Sequence, residues 1–399
     1  MEILTIKKET LISSINIGLK VGAINEKDNE KGLSHFIEHM LFKGTKKRNN
    51  EELNYELEAL GGEYNAYTEY NDTVYTISCL SEELENAVEL LGDMIISSNF
   101  PSEEIEKERG VILAEMRTSK DDIEDISFRK VNELAFKSSP LRIDVTGVEE
   151  QVKNFTREEI LQYYKKFYTP KNSLITIVSS LEHEEAKKLI EKNFLNWHGE
   201  KAEKTREIEE KNAFVTSTSY KKEMEQSTIV YLYTFHNLSK EDELPLRILN
   251  HRLGESANSL LFREVRENRG LAYDIYTQLD LTKNMKSLYI YTSVAEDDVE
   301  KTIEAINETL DRVINKSTVI GEKDLEIMKK VYKTAVISTL EDSAELCNYI
   351  LHQELEGEYI LEFVKDMESL NNIDKDRIYE VAEEVLKEPT IHILKKLKE

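Results

Sequence analysis

Along the chain, short runs with apolar residues at every second position alternate with longer stretches in which they recur at helical spacing. Residues 11–23 (LISSINIGLKVGA) and 64–80 (YNAYTEYNDTVYTISCL) are rich in Ile, Val, Tyr and Thr and predict strands. Between them, 32–43 and 49–60 predict helices, the second stopped by Gly61-Gly62. Ser81 is placed to cap a helix over 82–98, and Pro101-Ser-Glu-Glu opens another reaching about residue 120. A helix over 156–167, a strand over 173–179 and a helix over 183–194 complete this half.

The order then starts again. Strands near 213–235, helices over 242–253 and 257–268, and strands over 271–279 and 286–294 follow a charged stretch, GEKAEKTREIEEKN (199–212), that reads as a linker. Residues 61–95 can be laid beside 269–310: each runs from glycine into a Tyr-rich hairpin, then an acidic helix start and an amphipathic helix. The pattern predicts an α+β protein of two similar domains, 1–198 and 213–399, each a mostly antiparallel sheet packed with helices.

Composition narrows the function classes. With 33% charged residues, 40% hydrophobic residues and a formal net charge of −25, the 399-residue chain suits a soluble globular protein and not a nucleic-acid binder, since nothing offsets phosphate repulsion. Cys79 and Cys347 are far apart and form no CxxC, so a disulfide framework or cysteine-based metal site is not expected. The N-terminus, MEILTIKKET, lacks the pattern of a signal peptide, and no apolar run is long enough to span a bilayer. A cytoplasmic protein without membrane partners is the expectation.

The segment GLSHFIEHMLFKGT (32–45) carries the candidate chemistry. On a helix, His35 and His39 lie one turn apart on one face, with Glu38 at its edge. Imidazoles at this spacing can bind one Zn²⁺, and the adjacent carboxylate can deprotonate a water. H-x-x-E-H arises by chance in roughly one such chain in fifty. A catalytic zinc needs a third ligand, and in KERGVILAEMR (107–117) Glu108 and Glu115 stand two helical turns apart. Spacing alone reads them equally well as surface glutamates of an acidic protein.

GLSHFIEHMLFKGT, GGEYNAYTEYNDTVY and ERGVILAEM, in that order, resemble the pitrilysin family of zinc metallopeptidases, whose inverted zinc motif is H-x-x-E-H. The resemblance covers most of the chain. It implies that His35, His39 and Glu115 bind Zn²⁺, Glu115 following His39 with 75 residues between them. It further implies that Glu38 is the general base and that Glu108 orients the site. Asn65 and Ala66 would lie on an exposed sheet edge to which a peptide substrate adds as a strand. Read without the family, that segment is an ordinary half-buried strand, as Tyr67, Val74 and Tyr75 suggest.

In FREVRENRGLAYDIY (262–276), Arg266 and Tyr273 match a family pair in which Arg grips substrate carbonyls and Tyr stabilises the oxyanion. On the residues alone, Arg266 is a surface helix position and Tyr273 a core strand position. Two features depart from the family: LGESANSLLF (253–262) keeps only Gly254 and Ser259 of a glycine-rich loop, and the short N-terminus lacks a full opening hairpin. The resemblance implies a zinc endopeptidase acting on unfolded peptides or precursor leader segments. Its two domains would form half of a clamshell chamber, completed by a second copy or a related chain. A peptide-binding subunit without turnover is the alternative.

Overall fold

The computed structural model describes residues 1–203, 208–317 and 320–397. The first sheet holds β1 (Glu2–Lys7), β2 (Ile12–Leu19), β3 (Glu63–Thr68), β4 (Thr73–Leu80) and β5 (Ser173–Ser179), in the order β1-β5-β2-β4-β3. The second holds β6 (Val215–Lys221), β7 (Ser227–Thr234), β8 (Ala272–Asp280), β9 (Ser287–Val294) and β10 (Thr390–Lys396), in the order β6-β10-β7-β9-β8. Only β1/β5 and β6/β10 pair in parallel, so the two sheets are topological copies.

The helices of the N-terminal half are α1 (Leu33–Met40), α2 (Asn50–Ala59), α3 (Leu84–Ser97), α4 (Ser102–Asp121), α5 (Ile123–Ala135), α6 (Glu149–Asn154), α7 (Arg157–Phe167) and α8 (His183–Phe194). Those of the C-terminal half are α9 (Lys240–Leu253), α10 (Val299–Ile314), α11 (Glu322–Glu341), α12 (Ser343–Leu355), α13 (Glu362–Ser369) and α14 (Lys375–Val385). The anticipated helix over 257–268 starts at Leu260 and is a wide-turn π-helix over Phe262–Asn268. The segment 64–80 is two strands, folded back where Glu69 N–H bonds Asp72 O at 2.8 Å. The sequence pattern predicted no strand before residue 11, yet β1 forms and lies beside β5, away from β2. Of the expected linker, 199–203 and 208–212 are neither helix nor strand, and 204–207 lie outside the described residues.

The chain divides into two compact units, with cuts at Thr118/Ser119, Ile143/Asp144, Ala335/Val336 and Ile360/Leu361 and one between 203 and 208. Their composition differs from the contiguous halves 1–198 and 213–399 by one helix each: α12 belongs with the first sheet and α5 with the second. A sheet with apolar residues on both faces needs a layer on each. In the first unit, Leu346, Cys347 and Ile350 of α12 cover Val178, while Leu351 covers Val74 and Leu174. Gly18 permits that approach, since a Cβ there would meet Leu355 Cδ1 at 2.8 Å. In the second unit, Ser127 of α5 shares a 2.6 Å hydroxyl contact with Thr228, and Phe128 packs against Tyr289 and Tyr291. Both helices start on an aspartate, Asp122 or Asp342, whose carboxylate accepts two backbone N–H groups. Among the described residues no helix is long and apolar enough to cross a membrane.

Candidate metal centre

Every residue of α1 except His39 is buried, so the polar groups it carries must find partners. The helix enters through Gly32 at φ 103°, a left-handed conformation suited to glycine. Its first N–H groups are satisfied by the buried Glu26 carboxylate, which accepts from Gly32 N at 2.9 Å and Ser34 N at 2.8 Å. Burial pushes Glu26 up to about 7, although those bonds favour its charged form. Phe36, Ile37 and Met40 lock α1 into the first core.

The i, i+4 spacing brings His35 Nε2 and His39 Nε2 within 3.3 Å of each other. From α4, Glu115 reaches within 3.8 Å of His35 Nε2 and 3.7 Å of His39 Nε2. These ligand atoms all lie within 4.8 Å of one another. Two nitrogens at about 2.0–2.1 Å from one tetrahedral Zn²⁺ stand roughly 3.3–3.4 Å apart, which fits the imidazole pair. The carboxylate needs to move only a few tenths of an ångström closer, and Glu115 is half-exposed and able to do so. Burial, and then the neighbouring His39, push His35 down to about 4, which keeps its imidazole neutral and its lone pair available. The donor set therefore fits zinc.

Glu108, one α4 face with Glu115, accepts from His39 Nδ1 at 3.1 Å and pairs with Lys43 Nζ at 2.7 Å. Burial would raise Glu108, but those bonds to His39 and Lys43 prevail and hold it below the ordinary carboxylate range. Burial likewise disfavours His39 as a cation, but the Glu108 hydrogen bond and nearby carboxylates prevail and raise it. This is the arrangement that fixes the tautomer and direction of a ligating imidazole. Glu38 is held by Thr68, whose Oγ1 donates to Glu38 Oε2 at 2.7 Å. Burial drives Glu38 above its ordinary value, and the Thr68 hydrogen bond partly offsets this. Sequence reasoning missed Lys43 and Thr68. The signal for Lys43 was its place one turn past His39; nothing linear pointed from Thr68 to Glu38.

β3 is the edge of its sheet, paired on one side with β4, with Asn65 exposed and Ala66 half-buried. Arg266 and Tyr273 belong to the second unit, where they form a pair of their own. The Arg266 guanidinium lies 4.7 Å from the Tyr273 ring centre and 4.8 Å from that of Phe262. Tyr273 is 74% exposed, which corrects its residue-level reading as a core strand position. The register between β8 and β9 slips between Ala272 and Asp274, so Tyr273 occupies a bulge that turns it out of the sheet. Of the divergent loop, Gly254 is pressed against Thr277, leaving no room for a Cβ, and Ser259 is buried.

Residues 2–148 match the family described as Insulinase (Peptidase family M16), and 154–332 match the Peptidase M16 inactive domain. An uncharacterized zinc protease of Rickettsia felis is 30% identical over 391 residues, spanning 93% of this chain and 89% of its own. Another from Bacillus subtilis is 27% identical over 391 residues, spanning 96% and 93%. Among solved structures, a protease from Helicobacter pylori superposes with TM-score 0.91 at 21% identity, covering 98% of this chain and 96% of its own. A peptidase M16 inactive domain from Pseudomonas fluorescens gives TM-score 0.90 at 14% identity, covering 99% and 95%. At such identities the structural likeness speaks for the fold alone.

Proposed function

The chain belongs to the insulinase family of peptidases, family M16, and from that membership we propose that it is a zinc-dependent endopeptidase cutting unfolded peptides. The observation that carries this reading is the convergence of His35 Nε2, His39 Nε2 and Glu115 beside a buried, tethered Glu38. Zn²⁺ held by those three side chains would supply a Lewis acid for the scissile carbonyl and the attacking water. Glu38 takes a proton from that water and delivers it to the leaving amine; burial raises its affinity for protons, which suits a general base. Glu108, steadied by Lys43, keeps the His39 ring aimed.

The open edge of β3 at Asn65 and Ala66 takes the substrate backbone as an added strand, which demands an extended chain and little side-chain identity. Arg266 and Tyr273 present donors for substrate carbonyls and for the oxyanion, respectively. Two such chains close the chamber as a homodimer; the divergent loop Leu253–Phe262 favours, as a second reading, a heterodimer with a related chain. The mass of the native complex separates the two.

The test is cleavage of a mixed set of unfolded peptides by the purified, zinc-loaded chain beside Glu38→Gln, mapped by mass spectrometry. Cleavage lost in the variant is the expected result. Equal activity of both chains would remove Glu38 as the base. Inertness of both with one zinc bound per chain would point to a missing partner chain or a very narrow substrate, and inertness without bound zinc to a peptide-binding subunit.

A further inference from the structure

The strand that offers its edge to substrate also reaches the general base. Successive residues of a strand point to opposite faces, so Tyr67 and Thr68 of β3 enter different layers. Thr68 is buried and donates to Glu38 Oε2 at 2.7 Å; among the described residues it is the hydrogen-bond donor that reaches this carboxylate. Tyr67 turns the other way, towards α12. Its hydroxyl donates to Asn348 Oδ1 at 2.7 Å and lies 2.8 Å from His352 Nε2, and its ring stacks on His352 at 6.0 Å between centres.

We propose that Thr68 is the positioning residue of the general base. Its hydroxyl fixes one Glu38 oxygen, so that the other is presented to the reaction, and the Tyr67 fastening to α12 fixes the strand that carries Thr68. The inference rests on reading Glu38 as the base and goes beyond it. A buried glutamate without a partner samples several rotamers. A displacement of about 1 Å in a catalytic group can cost as much as 10²-fold in rate. The placement has a second consequence. Ala66 and Thr68 share one face of β3, about 6.8 Å apart along it. A peptide paired at Asn65–Ala66 is therefore registered against Glu38 by two residues of one backbone.

Thr68→Val keeps the shape and removes the donor, whereas Thr68→Ser keeps the donor; Thr68→Ala stands in should the valine variant not fold. Three readouts are taken: kcat and KM on a peptide the wild type cleaves, zinc per chain, and the Glu38 rotamer in crystals of the variant. We expect kcat to fall about 10- to 100-fold in Thr68→Val, with KM and zinc within about twofold, Glu38 swung away, and serine restoring kcat to within about threefold. Tyr67→Phe, acting through the strand, should change kcat and KM together by about 3- to 10-fold. An unchanged kcat, a loss that follows zinc, or an unmoved Glu38 overturns the proposal. The underlying reading fails differently, through a Glu38→Gln chain that cleaves like wild type. Should the wild type cleave nothing, the crystal arm decides the positioning claim.

Discussion

The two units share a strand order and a capped helix supplied from the opposite half of the sequence, yet they treat one equivalent helix in opposite ways. α1 and α9 each follow the second strand of their sheet. In α9 the buried acids are closed off by cations: Asp242 by Arg377, and Glu243 by Lys240 at 2.9 Å and Lys286 at 3.1 Å. In α1, two imidazoles face each other at 3.3 Å and a carboxylate joins them without a cation among the described residues. Paired charge is structural; converging lone pairs call for a metal. What the second unit displays instead is a half-buried Arg266 from the π-helix against an exposed Tyr273 on a bulged strand. One scaffold thus gathers a donor set that fits a metal in one copy and an Arg–Tyr pair in the other.

The comparison breaks most severely at the imidazoles. His35→Ala or His39→Ala should remove the bound zinc and all measurable cleavage, while His251→Ala in α9 should leave one zinc per chain; metal analysis beside a peptide assay checks both. Glu38→Gln should keep the zinc and lower kcat by about 10²- to 10⁴-fold. Next comes the second unit's contribution. Tyr273→Phe keeps the ring on Arg266 and removes one donor, and should lower kcat by about 10²-fold with zinc unchanged. A full kcat in that variant would leave the pair structural.

Glu108→Gln should weaken zinc binding by about 10- to 100-fold, read by competition with a chelator, and Lys43→Met should do so less. The smallest effect is a pH dependence that sharpens the contrast between the units. His392, buried in β10 beside Ser219, is pushed down to about 4 by burial and then by Lys130. Its folded value lies below its unfolded one, near 6.5, so the unfolded chain binds more protons between those limits. The stability that His392 contributes is therefore full above about pH 6.5 and declines as pH falls towards 4. In metal-free protein, denaturant melts of His392→Gln should show a shallower decline over that window.

The candidate site was legible in large part because α1 is a local object. A helical turn of about 3.6 residues places His35 and His39 together whatever surrounds them, and the two-turn spacing of Glu108 and Glu115 aligns them by the same rule. The repeat was legible because strand and helix periods recur in both halves. Tyr273 was misread on its residues alone because alternation assumes an unbroken register, and the slip at Ala272/Asp274 inverts it. β1 was missed because four half-buried residues between two exposed ends give no alternation, and its partner β5 lies far along the chain.

By itself, then, the sequence determined most elements of the N-terminal half, the start of their repeat and a pair of imidazoles on one helix face, since each follows from backbone periods acting over a few residues. Only the tertiary structure decided which sheet α5 and α12 cover, that Glu115 meets the imidazoles, and that Thr68 meets Glu38. An amphipathic helix satisfies any apolar face of the right shape, and a hydroxyl any acceptor within reach. Choosing among those partners takes the packing of segments that are distant in the chain.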